Sequence, residues 1–403
     1  MNFKEAFFKG QQGSNVGLPM GIGLATIARA IRGIQRAMMY VIAAAPKGGK
    51  STFVDCGFVI APCLFVIDNN EQYNKHIEEG FTPEQIKEQH KLAYIDLEVI
   101  YNSYEIDRVS KEFDFVAHFL NNDYGITHIQ LDEGVTFEKK NTVELGADYL
   151  RGKLVDDNGN LILVKPTIIE KIGEVYTNRI IKLFGQYDSL GRLEKKGMIT
   201  FLDVRENPTG IKKWLIDYAG KHGTILYDKF VGKDGKVHEK MKSYIPNNPD
   251  KIVLVVTDHL RKLVNEQGFT LKQTVDKYSE YSVELKNVLK FSFVQIIHLN
   301  RSMTDINRMK HQDDMLYPNS DDVKETGNLA EDCDYMFTIF NPNDDRYNLP
   351  KHFGKMIKDR HNNLLYPNYR SIHLVENRHG PYPQHFAVNM DGKIKKFEQL
   401  IIK

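Results

Sequence analysis

Tyr40-Val41-Ile42-Ala43-Ala44-Ala45-Pro46-Lys47-Gly48-Gly49-Lys50-Ser51-Thr52 joins an apolar run to a glycine-rich turn, and the turn to a lysine followed by two hydroxyls. The apolar part reads as a short buried strand that breaks at Pro46. Gly49-Lys50-Ser51 closes a phosphate-loop pattern, with Ala44 at the small position usually held by glycine. The backbone N–H groups of such a loop, and of the helix that follows, point at a phosphate, and the helix dipole favours its negative charge. Ala45, Pro46, Lys47, Gly48, Gly49, Lys50, Ser51 and Thr52 therefore form a candidate site for a nucleoside triphosphate. Lys50 would neutralise the β/γ oxygens and Ser51 would hold Mg²⁺. The plainer alternative is a glycine-rich surface turn, which the preceding apolar run disfavours.

The rest of the composition sets bounds. A chain of 403 residues, 41% hydrophobic and 27% charged, describes a globular protein with ample core. A net charge of +1 means a polyanionic partner must be met by a local basic surface. Apolar stretches such as Cys56–Ile67 read as too short or too interrupted to span a bilayer, and the first residues lack the apolar core of a secretory signal. No membrane partner is expected, and a cytoplasmic location is. Cys56, Cys63 and Cys333 make neither a zinc pattern nor a disulfide framework.

Along the chain, Phe3, Phe7 and Phe8 suggest a short amphipathic helix within residues 1–16, and Ile22 to Ile34 follow a rough helical period. The helix after the loop is expected to end near Pro62, with a charged, irregular excursion over 69–91. Strands are expected at 93–103, 198–204, 251–257, 293–298, 335–340 and 371–376, and helices at 109–121, 175–184, from Thr209, and at 271–290. Asp156-Asp157-Asn158-Gly159-Asn160 and Lys233-Asp234-Gly235-Lys236 are hairpin signals. Strands alternating with helices predict an α/β protein with a mostly parallel central sheet.

Four strand ends carry candidate chemistry. Asp258 closes the most apolar strand, where parallel sheets place ligands, and could hold a metal; alone it would more often be a turn or cap residue. Glu105 could polarise a water that attacks the γ-phosphate; its plain reading is a helix-start glutamate. His298 could report on the γ-phosphate, or be structural. Arg378 lies just beyond the last strong strand and could be a surface residue, or a finger completing a neighbour's site.

Together these blocks resemble the ATPase domain of DnaB-like replicative helicases, a ring-forming RecA-like family. Gly17-Leu18-Pro19-Met20-Gly21 with Gly33-Ile34-Gln35 resembles the lead-in to the phosphate loop, and Tyr101-Asn102-Ser103-Tyr104-Glu105-Ile106 the Ser-Leu-Glu-Met block. Val255-Val256-Thr257-Asp258-His259-Leu260 resembles the Walker B block. His298-Leu299-Asn300-Arg301-Ser302, with Asp322-Val323-Lys324-Glu325-Thr326-Gly327, resembles the Gln-Leu-Asn-Arg block and the DNA-facing loop, and Glu376-Asn377-Arg378-His379-Gly380-Pro381 the finger block.

The resemblance implies a RecA-like phosphate-loop core over 17–403, with 1–16 as a linker helix and a hairpin-containing insertion near 121–201. It implies ATP and Mg²⁺ as cofactors, Glu105 as catalytic glutamate, Arg378 as finger, and Asp258 with Ser51 at the metal. Arg301, Lys324, Glu325, Thr326 and Gly327 would meet single-stranded DNA, helped by the basic residues Arg308 and Lys310 that precede the loop. Glu376 stands where the family usually has a lysine, and the separation of Glu105 from Asp258 exceeds the usual spacing. The family's primase-recruiting N-terminal domain is not represented.

The expected function is an ATP-driven ring helicase, expected to be a hexamer and, by resemblance, to move 5′ to 3′. A primase or helicase loader is a candidate partner, and the location would be the bacterial host cytoplasm for a phage protein. Two other classes compete: a RecA-like recombinase or mediator forming filaments, and an ATPase that remodels or loads proteins.

Overall fold

The computed structural model describes residues 17–202, 204–232, 235–300, 308–309, 312–326, 328–344, 346–347 and 349–400. The apolar run forms strand β1 (Met39–Ala44), buried along its whole length. Alternate residues serve two cores: Tyr40, Ile42 and Ala44 face one, Met39, Val41 and Ala43 the other. A strand buried on both faces needs cover on both sides, and the chain supplies it with helices.

In chain order these are α1 (Ala25–Ile31), α2 (Lys50–Glu78), α3 (Arg108–Tyr124), α4 (166–184), α5 (Pro208–Lys221) and α6 (Leu271–Leu289). The first four pack on one face of the sheet, α5 and α6 on the other. The further strands are β2 (Leu97–Ser103), β3 (Ile199–Leu202), β4 (Ile252–Asp258), β5 (Ser292–His298), β6 (Tyr335–Phe340), β7 (Tyr369–Asn377), β8 (Gln384–Asp391) and β9 (Lys396–Gln399).

Among the described residues the main sheet has nine strands in the order β9-β8-β7-β6-β1-β5-β4-β2-β3. From β6 to β3 every pairing is parallel; β7, β8 and β9 add antiparallel strands at one side. The architecture is α/β with a mostly parallel central sheet. Residues 125–198 fold as α4 with two short hairpins, His128–Gln130 with Thr142–Glu144 and Gly185–Tyr187 with Leu193–Lys196. Asp156 turns the chain by accepting the Asn158 and Asn160 N–H groups, and Gly223–Val231 pairs with Val237–Pro246 in a long ribbon. Lys233 and Asp234 at its tip, and the expected helix in 1–16, lie outside the described residues.

Two expectations are corrected. The helix after the loop does not end near Pro62 but runs to Glu78. Residues Asp55–Ile60 form a π-helical segment ending with the Ala61 N–H on the Cys56 carbonyl, and Pro62, with no N–H to give, sits in the first turn of the α-helical run that follows, where none is needed. The uninterrupted helix is thereby long and apolar enough, by composition, to cross a bilayer, but 67% of its most apolar window is buried inside the fold. Nor is 69–91 irregular: its charges are the wet face of α2 and of a short helical segment that Thr82 and Gln85 begin with a capping box.

Candidate nucleotide site

Four of the singled-out blocks meet at the carboxyl ends of neighbouring strands. β1 ends at Ala44 and the chain turns through Pro46 and Lys47 into Gly49, whose φ of 97° is at home only in glycine. A Cβ on Gly49 would stand 2.2 Å from the Met390 sulfur, and one on Gly48 would stand 2.9 Å from both the Ala44 Cβ and the Ala45 carbonyl oxygen, so the turn admits no side chains there. The helix opens on Lys50 with no side chain capping it among the described residues, which leaves its first N–H groups for a ligand.

β4 and β2 run beside this turn. Asp258 pairs with Ser103, and the Tyr104 N–H donates to the Asp258 carbonyl at 3.0 Å, so Glu105 leaves its strand beside Asp258. On the other side the Leu299 N–H donates to the Ala44 carbonyl at 3.1 Å, which sets His298 over the turn. Lys47, Gly49, Lys50, Ser51, Thr52, Glu105, Asp258 and His298 thus line one cleft of about 270 Å³, with His259, Met390 and Gly392 completing it.

The charges are poised for an anion and a cation. Lys50 is 6% exposed, and its ammonium donates to the Ala44 carbonyl (3.2 Å), the Ala45 carbonyl (3.0 Å) and His298 Nδ1 (3.0 Å). Burial lowers its pKa to about 8, against the opposing pull of Asp258 and Glu105. His298 drops to about 4, through burial first and the Lys50 charge second. Asp258 is 3% exposed; burial raises its pKa, opposed by the Lys111 charge and the Ser51 hydroxyl. Its Oδ1 is buried without a hydrogen-bond partner. A buried carboxylate oxygen left unpaired next to a loop hydroxyl suits a divalent cation held partly through water, so the residues fit a metal–nucleotide pair.

One residue escaped the sequence reading. His259, 4% exposed, sits between the two lines of chemistry: its Nε2 is 3.2 Å from Glu105 Oε1, and its ring meets His298 edge-on with centroids 4.6 Å apart. The signal was its place directly after Asp258 at a strand end. Lys262 also approaches Glu105, at 3.7 Å, but both side chains are 42% exposed, so that attraction is screened.

Arg378 is not brought to this cleft. It follows Asn377, which pairs with Tyr335 at the start of β6, and its N–H donates to the Asp334 carbonyl. Tyr335 in turn pairs with Tyr40 near the start of β1, so exposed Arg378 stands at the opposite edge of the sheet from its own loop, about 17 Å away by strand rise.

The expected DNA-facing loop folds as a 3₁₀ turn, Ser320–Thr326, tied down by Asp322, whose carbonyl accepts the Asn300 N–H and whose carboxylate accepts Arg308 at 2.6 Å. Arg308, expected from the sequence to help meet DNA, is thus committed to holding the turn. Arg301, Lys310 and Gly327 lie outside the described residues, and only the backbone course is described for Lys324, Glu325 and Thr326.

The chain matches no protein-family model and no curated protein. Its fold does match solved structures. A helicase ATPase domain, solved on its own, superposes over 99% of both chains, with a TM-score of 0.52 and 15% identity. A DnaB-like replicative helicase, described with its interactions with primase, superposes over 99% of this chain and 66% of its own, with a TM-score of 0.56 and 13% identity. The present chain therefore spans just under two thirds of that helicase. At these identities the likeness concerns the fold: this is the RecA-like fold of DnaB-like helicase ATPase domains.

Proposed function

Starting from that fold, we propose that the chain is an ATP-dependent, ring-forming DNA translocase and helicase of DNA replication. The observation that carries the reading is the single cleft in which Lys50, Ser51, Asp258, Glu105 and His298 face one another across three strand ends. The loop N–H groups and Lys50 bind the β- and γ-phosphates, Lys50 leaving the Ala44 and Ala45 carbonyls to do so. Ser51 and Asp258 hold Mg²⁺, which when bound neutralises charge between those phosphates. Glu105 orients the attacking water and accepts its proton. His298, whose Nδ1 accepts from Lys50, keeps its proton on Nε2 and offers it to a γ-phosphate oxygen.

Arg378, remote from its own loop and exposed, acts on the cleft of an adjacent protomer, where an arginine finger contributes about 10³-fold or more to turnover. Single-stranded DNA is met by Arg301 and the turn through Lys324, Glu325, Thr326 and Gly327, in part by backbone N–H groups on phosphates. Sequence-independent binding that weakens with salt follows. A hexameric ring in the cytoplasm, engaging primase or a loader, completes the reading. The direct test is strand displacement with ATP, using Lys50→Ala as control. Unwinding that needs Lys50 supports the proposal; ATP hydrolysis without response to single-stranded DNA, or filaments in place of rings, counts against it.

A further inference from the structure

We propose that His259 is a positioning residue for the proposed catalytic glutamate: its ring is locked in one tautomer and presents Nε2–H to Glu105, aiming that carboxylate into the cleft. The inference rests on the hydrolysis reading above and adds a residue to it.

The tautomer follows from the ring's other nitrogen. Nδ1 accepts the backbone N–H of Arg261 at 3.2 Å, capping the short turn Leu260–Lys262. A nitrogen that accepts cannot carry the proton of a neutral imidazole, so the proton is on Nε2, the atom 3.2 Å from Glu105 Oε1. The Glu105 carboxylate is 42% exposed and lies just beyond the end of β2, where, among the described residues, screened Lys262 is the other cation that approaches it. A carboxylate on a mobile side chain loses rotamer freedom when it must face one water, and an N–H from a 4% exposed ring settles that orientation in advance. The same logic runs through the neighbouring strand end: Lys50 donates to His298 Nδ1, so both rings carry their protons on Nε2 while standing edge to face. Glu105 and His298 are thereby each oriented by a second group, one through His259 and one through Lys50.

Two substitutions separate this role from capping. His259→Asn keeps an acceptor near the Nδ1 position, and asparagine is a good cap, but it loses the reach to Glu105. His259→Gln carries an amide N–H out to the Nε2 position. Expected for His259→Asn is a fall in kcat of about 10- to 100-fold, the range that outer orienting partners command, with ATP affinity and thermal midpoint near wild type. His259→Gln is expected to recover most of the rate. Wild-type turnover in His259→Asn, or equal loss in both variants, would overturn the proposal. A second readout needs no turnover: ¹⁵N-histidine spectra should show His259 protonated on Nε2, with that signal moving in Glu105→Gln, whereas an Nδ1–H tautomer or an indifferent signal overturns the assignment. An inactive wild type would sink the hydrolysis reading, and the spectra would still decide the His259–Glu105 bond.

Discussion

At the scale of single residues, the loop works by what it leaves out. Gly49 combines a left-handed φ of 97° with the Met390 sulfur where a Cβ would stand. Gly49→Ala is expected to weaken nucleotide binding by about tenfold or more, since a non-glycine residue costs about 1–2 kcal/mol in that region before any clash is counted. Calorimetric titration with an ATP analogue checks it, and unchanged affinity would mean the turn does not cradle phosphate in this conformation. The loop, Glu105, Asp258 and His298 were legible in the sequence because each follows an apolar run, and a parallel sheet gathers such positions at one edge. His259 was not, because a histidine after a strand carries no periodicity; only its two hydrogen bonds distinguish it.

At the scale of elements, buried titratable groups fasten the core. Asp55, on the loop helix, is fully buried and accepts from Tyr101 (2.9 Å), Lys111 (3.1 Å) and Lys395 (2.6 Å), tying α2 to β2, α3 and the turn between β8 and β9. Burial alone would raise its pKa, but the two lysines overcome that and hold it at about 2. Asp55→Asn would strand two cations in a dry site. The expected cost is about 3–5 kcal/mol, read from thermal or urea unfolding; a midpoint like that of wild type would show the lysines reaching water. Nothing in the spacing of Asp55, Lys111 and Lys395 announces this contact, since it is a property of the packed sheet.

A second cluster sits beside β7 and β8. His352 and His373 are buried, and His373 Nδ1 lies 2.7 Å from His385 Nδ1. Burial holds His352 at about 4, against an ordinary 6.5, and lowers His373 and His385 as well. The unfolded chain therefore takes up protons that the folded chain refuses, so stability present above pH 6.5 is lost as pH falls toward 4. His352 alone accounts for on the order of 3 kcal/mol. Urea midpoints should drop between about pH 7 and about pH 4.5; a flat profile would contradict the burial of these rings.

At the scale of the whole molecule, the sheet has two working edges. The carboxyl ends carry the cleft, and Arg378 stands at the amino end, out of reach of its own loop. Both blocks stand out in the sequence but their separation does not, because only the pairing of β7 with β6, antiparallel, sends Arg378 to the far side. If the finger serves a neighbour, mixing Arg378→Ala with Lys50→Ala protomers should restore hydrolysis that neither variant has alone; mixtures that stay inactive would exclude that arrangement. The continuation of α2 past Pro62 was hidden for a related reason, since proline stops a helix only where an N–H is needed, and the π-helical segment removes that need.

ATP turnover by the intact chain, measured with and without single-stranded DNA beside Lys50→Ala and Glu105→Gln, is the most direct test of the cleft as a DNA-coupled motor site. Wild type should hydrolyse ATP faster when DNA is present, Lys50→Ala should neither bind nor hydrolyse it, and Glu105→Gln should bind with near-normal affinity while turning over about 100-fold more slowly. Hydrolysis by Glu105→Gln at the wild-type rate, or normal nucleotide binding by Lys50→Ala, would contradict it.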